Sequence, residues 1–143
     1  MMDAPPDWLR EIDHTGDIGI AVRAGTLSEL FERAAWGMFG VLTDMDTVRD
    51  REARAVTVEA DDRASLMVRW LSELNFLHAT QHVLFSRFAI EEMTDTRLAA
   101  TAWGEAIDPD RHTVYTEIKA ITYHQLEIEE TDDGWHVQII FDM

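Results

Sequence analysis

The spacing of the hydrophobic residues changes several times along this chain, and these changes constrain its fold more than any other feature. Apolar residues alternate at period two over residues 17–23 and 55–60, a pattern that predicts β-strands. Over residues 27–42 and 66–77 they recur every three or four positions, as on one face of a helix. Further strand patterns follow the second helix, at residues 83–93, 97–103, 116–130 and 135–142. The order βαβα followed by β-strands predicts an α+β fold, a sandwich of two amphipathic helices packed on a largely antiparallel sheet.

Short polar residues and glycines predict where these elements begin and end. Thr26 and Glu29 have the spacing of a capping box at the start of the first helix, and Asp61-Asp62 can cap the second. Asp132-Asp133-Gly134 predicts a turn before the last strand, and residues 104–110 predict a loop. The chain has the length of one domain and contains no linker. We therefore expect a single domain over residues 1–143, with residues 1–8 as a loose N-terminal arm.

Charge and composition exclude several classes of function. The 28 acidic residues against 12 lysines and arginines give a net charge of −16, and the basic residues form no cluster. Direct binding to nucleic acid or to an anionic membrane is therefore disfavoured, whereas an acidic surface suits a cation or a basic protein partner. No apolar run reaches the ~20 residues of a membrane span, and no signal region is visible, so we expect a cytoplasmic protein. Cysteine is absent, which excludes disulfides and thiolate metal sites.

The densest polar cluster, Asp13-His14-Thr15-Gly16-Asp17, stands immediately before a predicted strand. Its oxygens can bind a hard cation such as Ca²⁺ or Mg²⁺, but the same residue types form an ordinary turn before a strand, and composition alone favours the turn. At the other end of the chain, Asp142 lies on the last predicted strand and Met143 carries a free carboxylate. Such an end either frays or lies beside the start of another strand. In the second case Asp17, Asp142 and Met143 together supply several oxygens, a set that suits calcium better than zinc.

Two further groups of polar residues have less specific patterns. Lys119, in a chain poor in lysine, indicates either a cross-strand ion pair with polar neighbours such as Glu117 or a contact for a partner. Glu105, Asp108 and His112 could form a proton-transfer group, although three polar residues in a loop are common. For Lys119 we favour the cross-strand ion pair, and for the other three residues an ordinary polar loop.

Motifs typical of catalysis are missing from the sequence. His78 and His82 have the i, i+4 spacing of zinc ligands, but the glutamate of HExxH is replaced by Ala79, so we interpret them as surface or helix-end residues. No nucleophile elbow, phosphate-binding loop or dinucleotide fingerprint is present. The residues taken by themselves therefore indicate an acidic α+β domain with a possible hard-metal site and do not indicate catalysis.

Several short motifs, taken in order, resemble the archease family. Residues 13–20 (DHTGDIGI) are similar to the opening of that family, a DHTAD-type motif followed by a strand. Further similar segments lie at residues 30–39, 42–44, 70–74 (WLSEL), 104–112, 117–124 (EIKAITYH) and 141–143 (FDM). Each segment is weak evidence alone. Their order, over nearly the whole chain from about Asp13, makes the resemblance specific.

The resemblance implies a small non-catalytic protein cofactor of the RtcB-type tRNA-splicing ligase, which joins RNA ends using GTP and metal. Such a cofactor is expected to promote guanylylation of the ligase's active-site histidine, to support multiple turnover and to broaden nucleotide use. The resemblance also implies a calcium or similar hard divalent cation held by Asp17, Asp142 and the main chain of Met143. Lys119 corresponds to the family lysine and is expected to contact the partner during activation, with Asp13 and His14 as further partner contacts.

The chain departs from the family pattern at a few positions. Gly16 stands where alanine is usual, a change between small residues that should leave Asp17 in place. Ser72 replaces the usual asparagine, and Leu74-Asn75-Phe76 interrupts a run that is typically more apolar. These differences put contacts of the second helix in doubt and leave the metal residues intact.

Two other classes of function are alternatives to the activator. One is a chaperone or assembly factor for RNA-modifying proteins, which would bind a partner without any effect on guanylylation. The other is a metal-dependent phosphoester hydrolase that uses Asp13, His14 and Asp17. The hydrolase is the weaker alternative, because the sequence offers neither a nucleophile nor a basic site for phosphate.

Overall fold

The computed structural model describes residues 5–14, 16–123 and 126–143, apart from the side chain of His14. Within these residues the chain forms helices α1 (Leu27–Leu42) and α2 (Arg63–Gln81) and eight strands. The strands are β1 (Leu9–His14), β2 (Asp17–Ala24), β3 (Glu52–Glu59), β4 (Val83–Met93), β5 (Arg97–Ala106), β6 (Ala120–Ile121), β7 (Ile128–Thr131) and β8 (Gly134–Asp142). The predicted α+β class is therefore confirmed.

The strands pair in antiparallel fashion, as predicted, and divide between two sheets. The first sheet has five strands in the order β1-β2-β8-β6, and β7 also pairs with β8. Both β6 and β7 lie on the edge of β8 away from β2, with β6 beside the last residues of β8 and β7 beside the first. The second sheet has three strands in the order β3-β5-β4. The first sheet therefore brings the start of β2 and the end of β8 together.

Strand β1 was not predicted from the sequence, where the polar cluster at residues 13–17 was interpreted as the turn before a first strand. In the structure Leu9–His14 pairs with β2 along its whole length, from Leu9 opposite Val22 to His14 opposite Asp17. Asp13 and His14 therefore belong to a strand. Gly16, directly before β2, adopts a positive φ of 76°.

The predicted N-terminal arm lies partly outside the described residues, which exclude Met1–Ala4. Trp8, at the end of the predicted arm, is half buried, and its ring lies 5.4 Å from the ring of Trp36 in an edge-to-face contact. The carbonyl of Trp8 accepts a hydrogen bond of 3.0 Å from the amide of Arg23. The chain is thus held against the first sheet at Trp8.

The prediction of one strand over residues 116–130 is wrong. Among the residues that the structure describes in this range, only Ala120–Ile121 and Ile128–Thr131 form strands. After β6 the amide of Thr122 still bonds to the carbonyl of Ile140 in β8 at 3.1 Å, and the amide of Leu126 bonds to the carbonyl of Tyr123 at 3.2 Å. His124, which belonged to the predicted alternating pattern, lies outside the described residues. The alternation of apolar residues was present in the sequence, but it did not show which of them pair with a neighbouring strand.

The end of β5 is longer than predicted, because glycine permits a close approach between strands. Gly104–Ala106, predicted as part of a loop, pair with Phe85, Leu84 and Val83 of β4. A Cβ atom placed on Gly104 would overlap the carbonyl oxygen of Leu84. Only glycine fits at this position, so the residue marks a close strand contact and not the start of a loop.

We expect Gly104→Ala to destabilise the protein by about 3 kcal/mol, because the added methyl group meets rigid backbone and forces β4 and β5 apart. Gly25→Ala is the matched control, since the nearest atom to a Cβ there is Glu29 Oε1 at 3.8 Å. Its effect should be less than about 1 kcal/mol in either direction. Urea unfolding measures both values. Equal effects of the two substitutions would contradict the close contact at Gly104.

Both predicted helix starts are confirmed. At α1 the Thr26 hydroxyl accepts a hydrogen bond from the amide of Glu29 at 3.1 Å, while the Glu29 carboxylate accepts one from the amide of Gly25 at 3.0 Å. At α2 the Asp62 carboxylate accepts from the amide of Ser65 at 2.8 Å. These bonds satisfy amide groups that have no partner inside the helix.

The core lies where the two helices meet both sheets. Helix α1 packs against β2, β4 and β8, and α2 packs against β3, β4, β5 and β6. The Trp70 side chain is fully buried and donates its indole N–H to the carbonyl of Phe31 at 2.9 Å, which joins the helices. Other large, fully buried side chains include Phe39, Phe85 and Phe141. Neither helix of the described chain is both long and apolar enough to cross a membrane.

The histidine pair of α2 lies at the helix end, as predicted, but one of its members is buried and not on the surface. His78 is 9% exposed, and its Nδ1 lies 2.8 Å from the carbonyl oxygen of Val83. His82 is exposed and ends the helix in the left-handed conformation, with φ of 54°. His78 thus lies in the last turn of α2, and His82 ends the helix directly before β4.

Candidate metal centre

Asp17 and Asp142 lie side by side at one end of the five-stranded sheet. Asp17 is the first residue of β2, and Asp142 is the last residue of β8. These strands are antiparallel, with Ile18 opposite Phe141, so continuing the register by one residue places Asp17 opposite Asp142. Directly opposed residues share a face of the sheet, with Cβ atoms about 5 Å apart. The pairing of β2 with β8 therefore brings together the two carboxylates that the sequence offered as ligands of one cation.

A third strand borders Asp142 on its other side. Ala120 of β6 pairs with Asp142, and the amide of Lys119 donates a 2.8 Å hydrogen bond to the carbonyl oxygen of Asp142. Met143 follows directly and is half buried against the core. The last residues of the described chain are thus held between β2 and β6, which fixes the backbone of Asp142 in the sheet.

The charges at this end of the sheet favour a cation. Asp142 is exposed and Asp17 is half buried. Among the described side chains, no lysine, arginine or histidine forms an ion pair with either carboxylate. Like charges directly opposite each other destabilise a sheet. A hard divalent cation bound by the two carboxylates would remove this repulsion, and oxygen ligands are those that calcium and magnesium prefer.

The predicted ligand set needs only two acidic side chains, together with the main chain of Met143. Within the described residues, no three histidine, cysteine, aspartate or glutamate side chains cluster closely enough to hold a metal ion, so these side chains form no closed metal site. The donors present therefore fit an open calcium or magnesium site that keeps several waters. The metal itself stays a prediction.

The other residues predicted to contact a partner are Asp13, His14 and Lys119, which lie on β1 and next to β6. Asp13 is exposed and lies opposite Ile18, so its side chain alternates to the other face of the sheet from Asp17. His14 lies opposite Asp17 in β1, and its side chain is outside the described part of the chain. Lys119 is exposed and forms no ion pair with Glu117, so the cross-strand pair considered from the sequence is absent.

Glu105, in contrast, is the centre of a buried polar cluster. Its carboxylate is 7% exposed and accepts two hydrogen bonds from the Arg111 guanidinium, at 2.6 and 2.8 Å. The amide of Arg49 adds a bond of 2.7 Å. The bonds from Arg111 lower the pKa of Glu105 to about 2, against the opposing effect of burial. This carboxylate is therefore ionised over the whole physiological range of pH.

The third member of this cluster, His112, has a fixed arrangement of its ring nitrogens. The amide of Asp108 donates to His112 Nδ1 at 2.9 Å, so Nδ1 is an acceptor and the proton is on Nε2. Nε2 lies 3.0 Å from a carboxylate oxygen of Glu105 and donates to it. The proton-transfer group considered for Glu105, Asp108 and His112 is therefore a closed structural network. Asp108 takes part through its backbone amide and through its carboxylate, which lies 4.0 Å from Arg111 Nε. The sequence interpretation missed Arg111.

A second residue missed from the sequence is Asn75 on α2. Its side-chain amide donates a 2.8 Å hydrogen bond to the carbonyl oxygen of Ile118, next to Lys119. The signal for it was available, because Asn75 interrupts an apolar helix face. A polar residue on such a face is frequently paired with backbone, but the sequence could not identify the partner.

Comparison with known proteins agrees with this architecture. The Archease protein family (MTH1598/TM1083) matches residues 9–143 of the chain. The archease of Methanosarcina acetivorans is 41% identical over 136 residues, which cover 92% of this chain and 93% of that protein. The solution structure of protein 1598 of Methanobacterium thermoautotrophicum is 36% identical, with a TM-score of 0.78, and covers 95% of this chain and 99% of that one.

A more distant solved structure shares the fold. The crystal structure of an archease, a possible chaperone, from Thermotoga maritima is 21% identical, with a TM-score of 0.61, over 100% of this chain and 98% of that one. The family match spans both residues proposed as carboxylate ligands, and the chain covers nearly the whole length of these relatives. The chain therefore belongs to the archease family.

Proposed function

We propose that this protein is a non-catalytic activator of an RtcB-type tRNA-splicing ligase, and that its activity depends on a divalent cation bound between Asp17 and Asp142. The observation that carries the proposal is the pair of unneutralised carboxylates at the joined ends of β2 and β8. Membership of the archease family supplies the class of partner. Calcium is the cation that we expect, because the donors are all oxygen and the site is open.

Each residue of this end has a role in the proposed activity. Asp17 and Asp142 hold the cation, and the main-chain oxygen of Met143 completes the protein ligands. The bound cation supplies positive charge where the start of β2 meets the end of β8, in a protein that is otherwise acidic. Lys119, exposed beside Asp142, adds a second cationic group for contact with the ligase. His14 and Asp13 border the same end of the sheet and are proposed as further contacts.

The net charge of −16 supports a protein partner over a nucleic acid. An acidic surface repels RNA but attracts a basic protein surface, and it speeds the encounter with such a partner. We therefore propose that the protein acts on the ligase and leaves the RNA to the ligase itself.

The test is guanylylation of a purified RtcB-type ligase from the same host, with this protein present at a small fraction of the ligase concentration and calcium in excess. We expect faster guanylylation with multiple turnover, and its loss when a chelator removes calcium. No acceleration by the folded protein would overturn the proposal. Complex formation without acceleration would favour a chaperone or assembly factor instead.

A further inference from the structure

The segment that precedes Lys119 has no regular secondary structure, yet it is fixed to both helices. After the Glu105 cluster, Val114 forms an isolated bridge with Thr43 at the end of α1. The Thr43 hydroxyl donates to the carbonyl of Thr113 at 2.7 Å, and the amide of Tyr115 bonds to the carbonyl of Leu42 at 2.8 Å. The segment therefore reaches Ile118 with its backbone already anchored to α1.

At Ile118 the segment is held by α2. Asn75 Nδ2 donates to the carbonyl oxygen of Ile118 at 2.8 Å, and the Ile118 side chain is 4% exposed. The same peptide group carries the amide of Lys119, which donates to the carbonyl oxygen of Asp142 at 2.8 Å. One peptide plane is thus hydrogen-bonded at both of its ends, to α2 on one side and to the last residue of β8 on the other.

Through these hydrogen bonds, the Asn75 side chain restricts the rotation of the Ile118–Lys119 peptide plane. A peptide plane held only by its amide can rotate about the neighbouring φ and ψ angles, whereas a plane held at both ends cannot. Hydrogen bonds in series also polarise and strengthen each other. The orientation of this plane sets the direction of the Lys119 side chain and the position of the Asp142 backbone beside Asp17.

We propose that Asn75 is a positioning residue for the metal-binding end of the sheet. Its side-chain amide fixes the Ile118–Lys119 peptide plane, and through that plane it fixes both Lys119 and Asp142. The importance of these two residues for activation rests on the proposed function above. The positioning itself is a property of this chain and is measurable without the ligase.

The experiment compares Asn75→Leu, which keeps the branching of the side chain at Cγ and removes the donor, with Asn75→Gln, which keeps a donor. Hydrogen exchange of the Lys119 amide is followed by NMR in the full chain. The reference is the amide of Ala60, which bonds to the carbonyl of Thr96 at 2.9 Å in the other half of the molecule. Phe76→Ala, at an exposed neighbouring position of α2, is the control for a change on that helix.

We expect Asn75→Leu to speed exchange at Lys119 by about tenfold, the effect of one lost hydrogen bond, and to leave exchange at Ala60 unchanged. Asn75→Gln should restore part of the protection, and Phe76→Ala should have no effect. Calcium titration should show weaker binding for Asn75→Leu than for wild type. Unchanged exchange at Lys119, or equal acceleration at both amides, would overturn the positioning role.

The outcomes separate this proposal from the proposed function. A wild-type protein that does not stimulate the ligase would remove the activator role and leave the exchange result intact. A wild-type protein that stimulates the ligase, with Lys119 exchange unaffected by Asn75→Leu, would remove the positioning role alone.

Discussion

Replacing Asp142 with asparagine is expected to weaken calcium binding by roughly 100-fold or more and to abolish activation of the ligase. The substitution keeps the shape of the side chain and removes one of the two charges that hold the cation. Affinity in oxygen-ligand sites follows the number of charged ligands, and each tenfold change corresponds to about 1.4 kcal/mol. Isothermal titration with calcium and the guanylylation assay measure the two effects.

The effect of Asp142→Asn on stability should depend on whether calcium is present. Without calcium, Asp142→Asn should be at least as stable as wild type, because it removes the repulsion between opposed carboxylates. With calcium at about 100 times its dissociation constant, the melting temperature of wild type should rise by roughly 10 °C, and that of the variant should not.

Asp132→Asn is the control for Asp142→Asn, because it removes the same charge in the turn at the other end of β8. It should leave both calcium affinity and activation unchanged. Tight calcium binding by Asp142→Asn, or weak binding by Asp132→Asn, would contradict the assignment of the site.

Glu105→Gln is expected to destabilise the fold by about 3 kcal/mol, because it removes the buried negative charge that accepts hydrogen bonds from Arg111, His112 and the amide of Arg49. Its control is Glu59→Gln, which breaks an exposed ion pair with Arg97 at 3.7 Å and should change stability by less than about 1 kcal/mol. Urea unfolding at neutral pH compares the two. Similar effects of both substitutions would contradict the importance of the buried network.

The pH dependence of the Glu105→Gln effect follows from the lowered pKa. The pKa of Glu105 in the folded protein is about 2, below its ordinary value near 4.3 in an unfolded chain. Its contribution is therefore complete above about pH 5 and is lost progressively as pH falls toward 2. The difference in unfolding free energy between wild type and variant should shrink over that range. A constant difference down to pH 2 would show that Glu105 acts through packing and not through charge.

The helices and most strands could be predicted from the sequence because their signals are local. Thr26 with Glu29, and Asp62 alone, cap helices through bonds to residues within three positions, so their spacing alone is sufficient. The period of the apolar residues predicted α1, α2 and β4 for the same reason. Strand β1 was not predicted, because it contains three charged side chains and its apolar residues alternate only weakly.

The Glu105 network could not be predicted because its partners come from separate parts of the fold. Arg49 approaches from the loop before β3, and Arg111 and His112 return after a turn at the end of β5. Their polar character was visible in the sequence, but burial and geometry decide whether such residues transfer protons or hold structure. Here every ring nitrogen and carboxylate oxygen has a protein partner, which makes the cluster structural.

The sequence by itself determined both helices, most of the strands, the helix caps, the acidic surface and the identity of the candidate ligands, all of which depend on residue type and local spacing. Only the tertiary structure decided that Asp17 and Asp142 are neighbours, because strand pairing between β2 and β8 joins residues 125 positions apart in the chain (142 − 17). The position of Lys119 depends in turn on Asn75, through a peptide plane held between α2 and β8. Long-range hydrogen bonds carry no local sequence pattern, so contacts of this kind emerge only when the sheet has formed.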